Sequence, residues 1–250
     1  MNRILFEKDE VAADGRILLS DRRAKHIIKV LKLGRGDSIR IGILDGPCGT
    51  GEITGISRSS VELSCHFDEA PPLPTIDLLL AVPRPKVMRR LWAQLASLGV
   101  GRIVLTNAEK VERNYFDTHW LNEATYRPRL IEGLEQSGDT RIPQVTIERR
   151  FRPFVEDRLA AEFPKSKKLI CHPRNAKSIG DVDISNKHRI LLAVGPEGGW
   201  SDYEVDLLQN TGFECIALGW RTLRSDVACV ALISAVNAVQ EPSVISGLCG

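Results

Sequence analysis

From Thr75 onward the chain alternates two kinds of segment, and that alternation leaves few architectures open. Short apolar runs of strand length lie at residues 76–82, 102–106, 144–147, 168–171, 190–194 and 214–218. Between them are stretches with helical spacing: 85–98 closed by Gly99, 121–136, 151–163, one that opens at Ser201, and a last one over 225–240. Near-continuous apolar strands need cover on both faces, so the pattern predicts a mostly parallel sheet flanked by helices. Ligands of such sheets bind beyond the carboxyl ends of the strands.

The residues before position 70 follow another rule. Short segments at 16–19, 38–44, 51–56 and 61–67 are punctuated by glycines from Gly34 to Gly55, which predicts a small β-barrel or sandwich. One helix interrupts it, in SDRRAKHIIKVLKLGRGD, where Ser20 or Asp21 can cap the start and Gly34 the end. Ala70-Pro71-Pro72-Leu73-Pro74 is a stiff junction, since consecutive prolines fix φ and donate no hydrogen bonds. Two domains are expected, residues 1–70 and 75–250.

Composition narrows the class. With 43% hydrophobic and 26% charged residues and a net charge of +2, the 250-residue chain reads as globular rather than disordered. No export signal is visible at MNRILFEKDE, and the longest apolar run, 227–236, is too short to span a bilayer. Six cysteines without a C-x-x-C pair suggest neither a zinc ribbon nor a disulfide framework, so a reduced cytoplasmic setting and no metal are expected. His66, His119 and His188 are isolated and carry no assignment.

The 190–194 run ends at Gly195-Pro196-Glu197-Gly198-Gly199, directly before a helix start of capping-box spacing, Ser201 to Glu204. Such a junction often holds phosphate. Here Glu197, Asp202, Glu204 and Asp206 surround it with no lysine or arginine in the turn, which favours a neutral or cationic ligand. The spacing fits neither a dinucleotide nor a nucleoside-triphosphate fingerprint. S-adenosylmethionine, with an adenosine part, a cationic centre and no phosphate, would suit; a tight turn with no ligand fits equally. After the next strand comes Leu218-Gly219-Trp220-Arg221-Thr222-Leu223-Arg224-Ser225-Asp226, where Arg221 and Arg224 are either surface charges or binding groups at a strand's carboxyl end.

Charge is unevenly spread. Arg22, Arg23, Lys25, Lys29, Lys32, Arg35 and Arg40 face a single acid, Asp37, across residues 22–40. Such a patch can neutralise several phosphates, or can be a solvated helix face.

Taken together, Lys25-His26-Ile27-Ile28-Lys29-Val30-Leu31-Lys32-Leu33 with Gly36-Asp37, then Glu135-Gln136-Ser137-Gly138, residues 192–199, and Leu218-Gly219 with Leu223-Arg224 resemble the RsmE-type family of SPOUT methyltransferases. Pro83-Arg84-Pro85-Lys86 followed by Leu98-Gly99-Val100 is similar to one branch of it. The resemblance implies an N-terminal PUA-like β-barrel and a C-terminal α/β domain with a deep trefoil knot, which spacing alone would not disclose. It implies a homodimer that uses S-adenosylmethionine to methylate N3 of a uridine in 16S ribosomal RNA, free or in the small subunit. Carried over by position, the cofactor would be held by His172, Pro173, Gly195, Pro196, Glu197, Gly198, Gly199, Leu218, Gly219 and Leu223. Arg224 would stabilise the developing uracil anion, and Asp226 would orient it or assist proton removal. RNA would be gripped by Arg22, Arg23, Lys25, His26, Lys29, Lys32 and Arg35, extended by Arg84, Lys86 and Arg89 or Arg90. Where the family usually has E-T-A after the leucine-arginine pair, this chain has Ser225-Asp226-Val227-Ala228, an acid shorter by one methylene. Two other functions stay open: a SPOUT enzyme acting on transfer RNA or 23S ribosomal RNA, and a non-catalytic RNA-binding assembly factor.

Overall fold

A computed structural model describes residues 3–174, 176–184 and 189–240; His188 and Cys249 lie outside the described residues. The chain divides into two compact units, Met1–Leu73 with Ile131–Ile142, and Pro74–Leu130 with Pro143–Gly250.

The first unit is a curled five-stranded sheet, ordered β1 (Ile4–Phe6), β3 (Ser38–Ile43), β4 (Cys48–Ile56), β5 (Val61–Phe67), β2 (Arg16–Leu19). β1 runs parallel to β3 and the other pairs are antiparallel. Alternation along β2 turns Ile17 and Leu19 inward, where they join Phe6, Ile41, Ile53 and Leu63 in one core. β1 has only three apolar residues between Arg3 and Glu7, too short a run to register as a strand in the sequence.

Helix α1 (Arg22–His26) is capped by Asp21, whose carboxylate accepts from the Arg23 amide at 2.8 Å, and it presses Ala24 and Ile27 into the same core. It ends sooner than expected. The helix widens into a π turn over Ile27–Leu31, the Lys32 amide reaches the Ile27 carbonyl, and Lys32 takes the left-handed conformation with φ 55°. Gly34 is therefore not the cap; its amide donates instead to Asp37 Oδ2 at 2.7 Å in the turn entering β3.

Residues 131–142 return to this unit from far along the chain. The Asp45 amide donates to the Thr140 carbonyl at 2.8 Å, Thr140 Oγ1 donates to the Gly46 carbonyl at 2.7 Å, and Arg141 Nε donates to the Pro71 carbonyl at 3.0 Å. Nothing in composition marks such a non-local return.

The second unit holds a seven-stranded sheet in which every neighbouring pair is parallel. Its order is β10 (Lys177–Ser178), β12 (Phe213–Ala217), β9 (Lys167–Cys171), β11 (Ile190–Val194), β6 (Ile76–Ala81), β7 (Val100–Thr106), β8 (Gln144–Glu148). β6 and β11 are buried along their whole length, as two-sided cover demands. The buried Asp77 of β6 takes both arms of the Arg189 guanidinium at 2.6 and 3.1 Å, at the amino ends of these strands.

Helix α2 (Pro85–Ser97) starts with proline in its first turn, buries Val87, Met88, Leu91, Trp92 and Leu95 at helical spacing, and gives way to Gly99 at φ +75°. α3 (Glu123–Ser137), whose residues from Ile131 onward belong to the first unit, ends at Gly138, whose amide returns to the Leu134 carbonyl at 2.8 Å. The expected helix over 151–163 is α4 (Phe151–Pro153) and α5 (Leu159–Glu162) joined by a π turn. α6 (Asp202–Asn210) and α7 (Ser225–Gln240) complete the unit.

Candidate functional site

Because β11, β9 and β12 are neighbours and parallel, the loops that follow Val194, Cys171 and Ala217 meet at the same end of the sheet. They enclose a cavity of about 510 Å³, within the range of small-molecule sites. His172, Pro173, Gly195, Pro196, Glu197, Gly198, Gly199, Leu218, Gly219 and Leu223 all line it.

Backbone conformation explains the glycines. Gly199 at φ +70° and Gly219 at φ +98° take left-handed conformations that side chains disfavour. Gly195 is needed for space: a Cβ there would stand 3.0 Å from the Trp200 backbone nitrogen and 3.1 Å from its ring. Trp200 fills that room, its ring tilted 31° to that of Phe151 at 5.3 Å between centroids.

Two polar atoms in the lining residues stand out. Trp200 and Ser225 are 3% and 4% exposed, and neither the indole Nε1 nor the hydroxyl Oγ has a hydrogen-bond partner among the described residues. A buried polar group left alone costs about 1–3 kcal/mol, so a cavity bordered by two of them suits a ligand with polar atoms.

The charge around the turn differs from the expectation of unopposed carboxylates. Glu204 is buried and accepts from the Ser201 amide at 2.8 Å and the Glu109 amide at 2.7 Å. Arg174 pairs with Asp206 at 3.0 Å and approaches Asp202 at 3.8 Å. Glu197 accepts from the Arg84 amide at 3.1 Å, and Lys110 Nζ donates to the Gly198 carbonyl at 2.9 Å. Lys110 and Arg174 come from other loops, so the acids of the turn are offset by cations remote in sequence. The acids of the turn are thus partly offset, and its spacing, which fits no phosphate-binding fingerprint, carries the expectation of a ligand without phosphate as much as its charge does.

The His172 imidazole is shifted toward its neutral form. Burial lowers its pKa, Asp202 opposes, Arg174 and Lys110 add to the fall, and the net shift is below the usual imidazole value. Its Nδ1 accepts from the Arg174 amide at 3.2 Å.

Leu223 and Ser225 line the cavity on either side of Arg224, whose side chain is 66% exposed. Asp226 lies in the first turn of α7 and is held on three sides. Its Oδ2 accepts from Arg90 at 3.0 Å and from Arg224 at 3.5 Å, and its Oδ1 from the Val227 amide at 3.1 Å. Burial raises the Asp226 pKa, but the Arg90 hydrogen bond, the Val227 amide and the two positive charges outweigh it, and the carboxyl lies below its ordinary value. Trp220, also in the lining, is 85% exposed with the Arg221 guanidinium 4.4 Å over its ring.

The basic helix of the first unit is divided by its own neighbours. Arg22 pairs with Glu135 at 3.1 Å, and Arg23 is clamped by Glu10 and Asp21. Lys25, Lys29, Lys32 and Arg35 are exposed and form no ion pair among the described residues. His26 is half-buried and borders a groove with Leu31, Ile39 and Arg40. In the second unit Arg84 and Lys86 are exposed at the start of α2. Glu135 to Gly138 combine a helix end with the Arg22 pair.

Lys110, Trp200, Ser225 and the role of Arg90 escaped the sequence. Lys110 follows the carboxyl end of β7, the place where such sheets bind ligands, and that position was its only signal. Among the described residues no three His, Cys, Asp or Glu side chains are placed to hold a metal ion, and no helix is long and apolar enough to cross a membrane.

Comparison with known proteins first gives the class: residues 69–237 match the model of the RNA methyltransferase domain, and residues 19–64 that of the RNA methyltransferase PUA domain. The chain is 30% identical, over 95% of its length and 91% of the relative's, to the ribosomal RNA small subunit methyltransferase E of Treponema pallidum. A methyltransferase from Legionella pneumophila, solved with bound SAM, superposes with a TM-score of 0.77 at 25% identity, over 95% of this chain and 97% of that one. The ribosomal RNA small subunit methyltransferase E of Neisseria gonorrhoeae, bound to S-adenosyl methionine, shares the fold with a TM-score of 0.77 at 24% identity, over 96% and 98% of the two chains. The chain belongs to the RNA methyltransferase family, in the group of the ribosomal RNA small subunit methyltransferases E.

Proposed function

We propose that this chain transfers the methyl group of S-adenosylmethionine to N3 of a uridine in 16S ribosomal RNA of the small subunit. The observation that carries the proposal is the cavity at the carboxyl ends of β9, β11 and β12, with Arg224 between two of its lining residues. S-adenosylmethionine supplies a sulfonium-activated methyl group. The glycine turn and the loop at 218–223 would hold it largely through backbone, while the unpartnered Trp200 Nε1 and Ser225 Oγ would meet its polar atoms. His172 lines the same cavity with its pKa lowered by burial, which disfavours a positive charge on its ring beside a cationic ligand.

A uridine becomes nucleophilic at N3 as its proton leaves, and negative charge then spreads onto the uracil oxygens. Arg224, exposed beside the cavity, supplies the positive charge that stabilises it. Asp226, with a lowered pKa and its oxygens engaged, is poorly suited to accept the proton and touches Arg224 only at the longer distance of 3.5 Å. Lys25, Lys29, Lys32 and Arg35 in one unit, and Arg84 and Lys86 in the other, would contact RNA phosphates. We infer further that residues 1–70 serve RNA binding and residues 75–250 catalysis, that the latter carry the trefoil knot, and that the protein works in the cytoplasm as a homodimer.

The test is transfer from labelled S-adenosylmethionine to small ribosomal subunits from a strain lacking this gene, followed by mass spectrometry of the digested nucleosides. N3-methyluridine at one site is expected. Label in transfer RNA or 23S ribosomal RNA instead would move the substrate, and cofactor binding without transfer to any RNA would leave an assembly factor.

A further inference from the structure

We propose that Arg90, on α2, is a positioning residue for methyl transfer: it competes with Arg224 for the Asp226 carboxylate and so leaves the Arg224 guanidinium free to face the base. The inference rests on the proposed methyltransferase function.

Both arginines converge on one oxygen. Arg90 Nη2 lies 3.0 Å from Asp226 Oδ2 and Arg224 Nη2 lies 3.5 Å from the same atom, while Oδ1 is taken by the Val227 amide at 3.1 Å. The carboxylate is 15% exposed, against 51% for Arg90 and 66% for Arg224. The shorter bond belongs to the arginine that is better anchored. Arg90 projects from a helix whose other face, Met88, Leu91 and Trp92, is buried, and α2 packs on α7, whose first turn holds Asp226. Arg224 sits in the loop before α7 and has no such scaffold.

A carboxylate next to a single arginine draws that arginine into a close two-armed pair, because this geometry is the strongest available to them. Such a pair would consume the donors that Arg224 needs for the uracil oxygens. With Arg90 on Oδ2 and the Val227 amide on Oδ1, Asp226 has little left to offer, and Arg224 stays at the longer distance with its remaining N–H groups open to solvent. The cluster keeps one net positive charge, Arg90 and Arg224 against Asp226, beside the cavity.

The full chain is assayed as Arg90→Ala, Arg90→Lys, Asp226→Asn and the Arg90→Ala/Asp226→Asn double variant, with small subunits as substrate and calorimetry of S-adenosylmethionine as the check on folding. Arg90→Ala should lower kcat about tenfold or more, as small misplacements of a catalytic group do, with KM for the subunit changed less than about twofold. Arg90→Lys, which keeps a cation on Oδ2, should recover most of the loss. In the Asp226→Asn background, Arg90→Ala should change nothing further, because its route to Arg224 is already cut. A raised KM with unchanged kcat would make Arg90 a plain phosphate contact, and multiplying losses in the double variant would make it act independently of Asp226; either overturns the proposal. Absence of transfer by the unaltered chain would overturn the proposed function and this inference with it.

Discussion

The basic helix of the first unit and the cavity of the second use charge in opposite ways. On the helix and in the turn that follows it, Lys25, Lys29, Lys32 and Arg35 stand in solvent without ion pairs among the described residues, so each acts nearly alone. Around the cavity almost every charge is committed: Glu204 to two amides, Arg174 to Asp206, Lys110 to a carbonyl, Asp226 to two arginines. An exposed patch is close to the sum of its residues once local pairs such as Arg22–Glu135 are subtracted. An enclosed site depends on which partners arrive from elsewhere, and one change there should cost more than several on the helix.

The sharpest way to break the contrast is Arg224→Ala. It should lower kcat by about 100-fold or more, as loss of one stabilising donor commonly does, with cofactor affinity unchanged by calorimetry. A loss of RNA binding equal to the loss of rate would instead make Arg224 another surface cation. Gly195→Ala should come next, since its methyl group would meet Trp200 at 3.0 Å. Titration calorimetry should find cofactor affinity reduced about tenfold, the scale of a modest cavity distortion, while RNA affinity holds.

Changing Lys25, Lys29 and Lys32 together to glutamine should weaken RNA binding gradually. The slope of log affinity against log salt should flatten by about 2, at roughly 0.7 per lost phosphate contact on single strands. Near-complete loss from any one of the three would mean a committed contact of the cavity kind.

The smallest effect belongs to Glu10, whose pKa is lowered below the ordinary 4.5, chiefly by its hydrogen bond from Arg23 and against the cost of burial. The unfolded chain binds this proton more readily than the folded one, so the stabilisation is fully present above pH 4.5 and fades as pH falls through the lower folded value. Urea unfolding of Glu10→Gln should therefore differ from the parent at pH 7 and converge with it in acid.

Much of the frame was legible because periodicity is local. The apolar runs of β6, β9 and β11, the proline start of α2, its glycine stop, and the Asp21 cap all announce themselves within a few residues. β1 was too short to register, and the end of α1 at Lys32 depends on a π turn that no spacing signals. The cavity residues followed from the matched motifs, yet their electrostatics did not, because Lys110 and Arg174 neutralise the turn from loops after β7 and β9.

By itself the sequence determined the two classes of architecture, the order of the longer elements, the glycines of the turn and the basic run at 22–35, since each depends on residue type and short-range spacing. Only the tertiary structure decided that residues 131–142 complete the first unit, that the cavity-lining Trp200 and Ser225 carry buried polar atoms with no partner among the described residues, and that Asp226 is shared between Arg90 and Arg224. Those facts rest on contacts between residues tens to more than a hundred positions apart, such as the 136 between Arg90 and Asp226. Hydrogen bonds and ion pairs act over a few ångströms of space, and separation along the chain carries no record of which groups the fold will bring within that reach.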